Sequence, residues 1–379
     1  MDMVFKKVRA IAVLIGATVG AGIFAIPYAF SQVGFFWGLV YLIILALIVL
    51  TVELCYGEII LRTKESKEMA GYVETYSGRI GKIFISLSLI LGIYAALTAY
   101  LIGVGTYLES LVGPWLGGDL MFWGIIFWAF GSLICLLGIG IMSRFEFLMS
   151  FGLIILVLIL FVVSLPYLDF KNLLINTSKN LFLPFGVILF ALGGATALPT
   201  MRKILGEEAA FLKKAVLIGL GAPSIIYAVF ALIILGVTGP EVSEEALIGL
   251  AKFLGGESLI IGGVFGILAM ATSFFALSFV LKEFFRQDYK IKNFAAWLLT
   301  AAVPLFLFLF GFRFIYIVAI SGAILSGFQG IILINTYYKA RQKGEREPEF
   351  KFNLPKPLAY LIYLVFIFGI IYQICLPLF

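Results

Sequence analysis

The stretch that decides the fold is IGATVGAGIFAIP, Ile15–Pro27. It sets Gly16, Gly20, Gly22 and Pro27 inside an otherwise apolar run over 8–34. Glycine and proline are the poorest helix formers, so a helix crossing a membrane along this run is weakest near its own middle. An unwound turn there exposes backbone N–H and C=O groups in a low-dielectric setting, where each unsatisfied group costs several kcal/mol. Such groups cannot face lipid. They must face a ligand, an ion or water.

The rest of the chain places that run in a membrane. Of 379 residues, 63% are hydrophobic and only 13% charged, unlike an ordinary soluble domain. Eleven apolar segments follow one another at 8–34, 35–61, 80–108, 120–141, 144–165, 180–201, 213–237, 252–281, 293–310, 314–337 and 356–377. Many are long enough to span a bilayer. The first is too long for a signal-peptide core and lacks a clear small-residue cleavage site, so it reads as a mature helix. Residues 64–78 and 203–212 are expected as short interfacial helices, and 338–355 as a charged surface loop.

Histidine is absent, which removes the commonest proton shuttle and metal ligand at neutral pH. Cys55, Cys135 and Cys375 are scattered, with no ligand-like spacing and nothing to suggest a disulfide. No loop is long enough for a soluble domain, and HExxH, GxSxG and nucleotide-binding loops are missing. The chain reads as a non-enzyme without a resident cofactor.

Charge sets the sides. With the N-terminus in the cytoplasm, all of the 27 Lys and Arg except Lys171, Lys179, Lys252 and Arg313 fall on the cytoplasmic side. This predicts a multi-pass protein of the cell membrane, N-terminus inside and C-terminus outside. It also explains the net charge of +6 without a nucleic-acid partner.

The break has an echo. Gly22, Ala25 and Pro27 of AGIFAIP recur at constant offset as Gly194, Ala197 and Pro199 of GGATALP, and the starts of spans 1–5 are echoed by those of spans 6–10. An odd number of spans per repeat inverts the second copy. The expected fold is therefore a single all-α membrane domain over 1–379. It consists of a 5+5 inverted repeat, 8–165 and 180–337, with broken spans 1 and 6, plus an eleventh helix at 356–377. The competing reading is that the glycines merely form close-packing surfaces.

Paired breaks suit an amino-acid head group. Free N–H groups around Gly20, Ala21 and Gly22 fit a carboxylate. Free carbonyls of Phe190, Ala191 and Leu192 fit an ammonium. Four glutamates fall within the apolar segments: Glu146 and Glu257 in the opening turns of theirs, and Glu53 and Glu58 in the second. Glu58 is placed near a span end, within reach of water. Glu53 is deeper, and a buried carboxylate is expensive and often functional. It is a candidate proton-coupling or gating group, with a structural hydrogen-bonding role as the alternative.

GATVGAGIFAIPYAF, followed by a span with an inner glutamate, resembles the amino acid/auxin permease family of the amino acid–polyamine–organocation superfamily, whose fold is that of the bacterial leucine transporter. The resemblance covers the whole chain and implies an importer of amino acids working by alternating access. It also implies a sodium site between spans 1 and 8, carried onto the carbonyls of Gly16 and Val19 and onto Ala269, Thr272 and Ser273 of AMATS. The alternative for those hydroxyls is back-bonding to their own helix. Some proton-coupled relatives replace the ion with a lysine in span 5; this span 5 has no Lys or Arg. By register Tyr94 matches a substrate-facing tyrosine and Phe190 an aromatic gate, with Thr18, Ala195, Thr196 and Phe274 as further pocket residues. No polar or charged side chain is expected to face the pocket, which favours neutral apolar or aromatic L-amino acids. The expectation is a sodium-coupled symporter acting as a monomer. The alternatives are a proton-coupled symporter or exchanger of the same fold, a channel, or a carrier of amines or nucleobases.

Overall fold

The glycine-rich stretch interrupts a helix. In this computed structural model, α1 runs Asp2–Thr18 and α2 runs Gly22–Ser31, with a bend of 55° between them. The structure describes residues 2–137, 152, 155, 157–175, 177–239, 241–254, 256–287 and 289–375. Among them, seven helices are long and apolar enough to cross a membrane, eight when the bent pair counts as one span. The protein is an all-α, multi-spanning membrane protein.

After Gly34, whose φ of 88° suits glycine alone, α3 runs Phe35–Arg62. The next helix, α4 (Met69–Leu116), has 48 residues and is kinked at Gly78, φ 74°. Of the interfacial helix expected at 64–78, the residues up to Glu68 are non-helical and a short helix from Met69 to Ser77 is present, set off from the long span by the non-helical backbone at Gly78. α5 covers Leu120–Leu137. Much of the expected span 144–165 lies outside the described residues; its end is α6 (Val157–Tyr167). A short α7 (Phe170–Leu173) follows.

The second break is also present. α8 (Leu183–Ala191) ends, a single 3-10 turn covers Ala195–Ala197, and α9 (Leu198–Leu205) resumes. A 3-10 stretch, Gly206–Phe211, leads into α10 (Leu212–Thr238), so 203–212 is no separate interfacial helix. Then come α11 (Leu247–Leu254), α12 (Gly256–Gln287) and α13 (Asn293–Leu309). α14 (Phe314–Ile320) passes through a π-helical turn, Ser321–Ser326, into α15 (Gly327–Lys343). α16 (Lys356–Cys375) ends the fold.

Two packed groups emerge. The broken pairs α1–α2 and α8–α9 pack with α3 and α10, whereas α4, α5, α12 and α13 pack with one another. α15 touches both groups through α3 and α4, and its π-turn lies against α8.

The charged stretch after α15 is not a free surface loop. The N–H groups of Glu345 and Arg346 donate to the Arg62 carbonyl at 3.0 and 3.2 Å. The N–H of Phe352 donates to Glu58 at 2.6 Å, and Phe350 is buried against Gly57. Glu58 is corrected accordingly. It is 0% exposed, paired with Arg62 at 2.8 Å and Arg341 at 3.5 Å, and does not reach water. The strap seals it in because a buried carboxylate needs charged and N–H partners.

Candidate functional site

Two backbone breaks meet near the middle of the protein, and glycine is what lets them meet. A Cβ added to Gly22 would lie 2.5 Å from the Cα of Ala191. One added to Gly194 would lie 2.4 Å from Thr18 Oγ1 and 3.4 Å from Glu53 Oε1. The contact is reciprocal: each break uses its glycine to approach the end of the other's leading helix. The packing reading of these glycines and the broken-helix reading thus both describe the same residues.

The breaks leave polar backbone exposed to one another and to a cavity. Gly20, Ala21 and Gly22 in the first, and Gly194, Ala195 and Thr196 in the second, have N–H groups without a backbone partner among the described residues. The carbonyls are less free. That of Phe190 accepts from the Gly193 N–H at 3.1 Å. That of Ala191 accepts from the hydroxyl of Tyr227 at 2.8 Å, as does that of Thr18 at 2.8 Å. Of the three carbonyls expected to hold an ammonium, only Leu192's has no partner among the described residues.

A cavity of about 1200 Å³ reaches both breaks. Its walls include Gly16, Thr18, Gly20, Ala21, Gly22, Glu53, Phe190, Ala191, Leu192, Ala195, Thr196 and Ser273. It runs toward the end of the molecule holding Phe5, Arg9 and Glu68, where Arg9 and Glu68 are exposed. Phe24 of α2 does not line the cavity; it is buried edge-on to Tyr107 at 6.0 Å and to Phe230 at 6.2 Å. At the start of α14, Arg313 donates to Glu244 at 2.7 Å and to the Tyr316 hydroxyl at 3.2 Å. The neighbouring Glu245 is pushed up to about 7, first by burial and then by the charge of Glu244.

Val19, Tyr94, Ala269, Thr272 and Phe274 do not line this cavity. Tyr94 donates to the carbonyl of Leu299 at 3.0 Å. Phe274 lies tilted against Phe127, with ring centroids 5.1 Å apart. The Thr272 hydroxyl donates back to Leu268 and Ala269, at 3.1 and 3.0 Å. Ser273 does approach the first break, with Oγ 3.9 Å from a Cβ position on Gly20.

Glu53 is 0% exposed at its place beside Gly194, and neither of its oxygens has a hydrogen-bond partner among the described residues. The expectation of a pocket without polar side chains does not hold, since Tyr100, Ser321, Ser326 and Gln329 also line the cavity. Tyr100 carries its hydroxyl to 3.3 Å from the Gly20 Cβ position. It lies about 9 Å along the helix from Tyr94 at 1.5 Å per residue. Nothing in an apolar span marks which tyrosine stands at the depth of the break. Among the described residues no group of three His, Cys, Asp or Glu could hold a metal.

Comparison with known proteins agrees with this picture of a carrier. The tryptophan/tyrosine permease family model matches residues 4–376. The tyrosine-specific transport system 1 of Haemophilus influenzae is 24% identical over 363 residues, 90% of each chain. Glutamine transporter 2 of Aliivibrio fischeri is 24% identical over 296 residues, 74% of each chain. The tyrosine-specific transport system 2 of Haemophilus influenzae is 31% identical over 107 residues, 28% of this chain and 26% of its own. With a helix broken at glycine, a second break packed against it and a family match over nearly its whole length, the chain belongs to the tryptophan/tyrosine permease family and is a permease rather than an enzyme.

Proposed function

We propose that the protein imports neutral L-amino acids, apolar or aromatic, by alternating access, with the amino-acid head group held between the two breaks. The observation that carries this reading is the interlocked pair of breaks, with six N–H groups that have no backbone partner among the described residues, opening on one cavity. Gly20–Gly22 hold the carboxylate, joined by the Tyr100 hydroxyl. The ammonium takes the Leu192 carbonyl and the remaining lone pairs of Phe190 and Ala191. Relatives named for tyrosine and glutamine, both neutral, support the substrate class.

The architecture is a 5+5 inverted repeat with an added helix, acting as a monomer in the plasma membrane, N-terminus in the cytoplasm and C-terminus outside. The distribution of Lys and Arg supports that orientation, which makes the described cavity the inward-facing one. Coupling is to sodium, held by the carbonyls of Gly16 and Val19 with Ala269, Thr272 and Ser273. The approach of Ser273 to the first break supports it, and Thr272 must turn from its own helix to take part. A second reading, proton coupling or exchange through Glu53, is favoured by the two unpartnered oxygens of that carboxyl.

Uptake into proteoliposomes, with sodium and proton gradients imposed separately, tests both. The first reading expects accumulation driven by sodium and lost in the double variant Thr272→Ala, Ser273→Ala. Accumulation that needs only a proton gradient and fails in Glu53→Gln selects the second. No uptake of any amino acid under either gradient contradicts the proposal.

A further inference from the structure

We propose that Tyr227 is a positioning residue that ties the two breaks into one unit and sets the distance between the carboxylate and ammonium ends of the substrate site. The proposal rests on the head-group reading above. Tyr227 stands on α10, fully buried, and contributes no wall to the cavity. Its phenol oxygen lies 2.8 Å from the carbonyl of Thr18 and 2.8 Å from that of Ala191. Those carbonyls belong to the last residues of α1 and α8. Each is among the orphan acceptors at the end of a helix, where the partial negative charge of the helix gathers.

One hydroxyl carries one proton. It therefore donates to one of the two carbonyls at a time, or is shared between them, and in either case draws two negative helix ends toward a single point. Without it, two buried acceptors would face each other across the breaks with only their repulsion between them. The reciprocal contacts of Gly22 with Ala191 and of Gly194 with Thr18 bring the same two residues together from the other side. The phenol and the glycines thus fix one separation, between the N–H groups that follow Thr18 and the carbonyls that end α8. A head group bridges that separation, and a side chain does not.

The consequence is a signature that a merely structural role would not give. Tyr227→Phe keeps the ring and removes the hydroxyl. In proteoliposomes its KM should rise roughly five- to thirtyfold, the effect of stranding a buried acceptor. The factor should be the same for amino acids of different side chain, such as tyrosine, leucine and glutamine, whichever of these the wild type carries. Their rank order should be unchanged. A hydroxyl that serves stability alone would lower Vmax through loss of active protein and leave KM in place. KM values within twofold of wild type, or a change that differs from one amino acid to the next, would overturn the proposal. If Tyr227→Phe does not fold, 3-fluorotyrosine at position 227 keeps the hydroxyl and strengthens it as a donor. A common-factor change in KM is then expected, and an unchanged KM overturns the proposal. Wild-type protein that carries no amino acid contradicts the head-group reading itself, a separate outcome from a working wild type beside an indifferent variant.

Discussion

At the scale of single residues, the two glycines that make the breaks differ in what they tolerate. Gly22 faces backbone, with Ala191 Cα at 2.5 Å from an added Cβ. Backbone cannot step aside, so Gly22→Ala should weaken amino-acid binding tenfold to hundredfold, the effect of about 1–3 kcal/mol of overpacking. Gly194 faces side chains instead, Thr18 Oγ1, which is bonded to the Leu14 carbonyl, and a methyl of Leu14; side chains can yield where backbone cannot, so Gly194→Ala should weaken binding less than Gly22→Ala. Equilibrium binding to the two purified variants checks the order. The glycine pair was legible because Gly22, Ala25 and Pro27 recur in the sequence as Gly194, Ala197 and Pro199. Tyr100 and Tyr227 were not, because an aromatic side chain in an apolar span carries no periodic mark of the face or depth it occupies. Tyr94 shows the result: at the expected register its hydroxyl bonds to a carbonyl of α13 instead of facing the cavity. Glu53 was legible as a buried carboxylate, but its place beside Gly194 needed the folded chain.

At the scale of elements, the two ends of the molecule are fastened differently. At one end the 345–354 strap closes over α3 and buries Glu58 with Arg62. Glu58→Ala strands a guanidinium and an N–H together and should cost about 3–5 kcal/mol, read as a lower unfolding temperature for the detergent-solubilised protein. Sequence alone made this stretch a surface loop because its charges are many; their partners lie far away along the chain, which composition does not record. At the other end, Glu244 ties the loop before α11 to Arg313 at the start of α14. Beside it, Glu245 holds its proton up to about 7, against an ordinary value of 4.5, mainly through burial. The folded state therefore binds more protons than the unfolded chain between those values. This group's contribution to stability is present at low pH and is lost as pH rises through the window. Thermal unfolding from pH 5 to pH 8 should show a fall on the order of 3 °C that Glu245→Gln removes.

At the scale of the whole molecule, the two packed groups give the proposed alternating access a mechanical form. The broken helices pack with α3 and α10, and α4, α5, α12 and α13 pack with one another, with α15 touching both groups through α3 and α4; under the proposal the first group moves against the second. Helical, membrane-spanning character was readable because hydropathy follows directly from the solvent each segment meets; against the eleven expected spans, the described residues hold seven helices long and apolar enough to cross, or eight with the bent pair. The local geometry was not: the division at Gly78 and the single span over 314–337 match the sequence reading, but the π-turn Ser321–Ser326 within that span has no residue signature of its own. The central claim is that the two interlocked breaks hold the amino-acid head group. Competition binding of a labelled amino acid to the purified protein tests it most directly. Unlabelled L-amino acid should displace the label, whereas its decarboxylated amine and its N-acetyl derivative should not, since each leaves one set of backbone groups unfilled. Displacement by either derivative at the affinity of the intact amino acid would contradict the account.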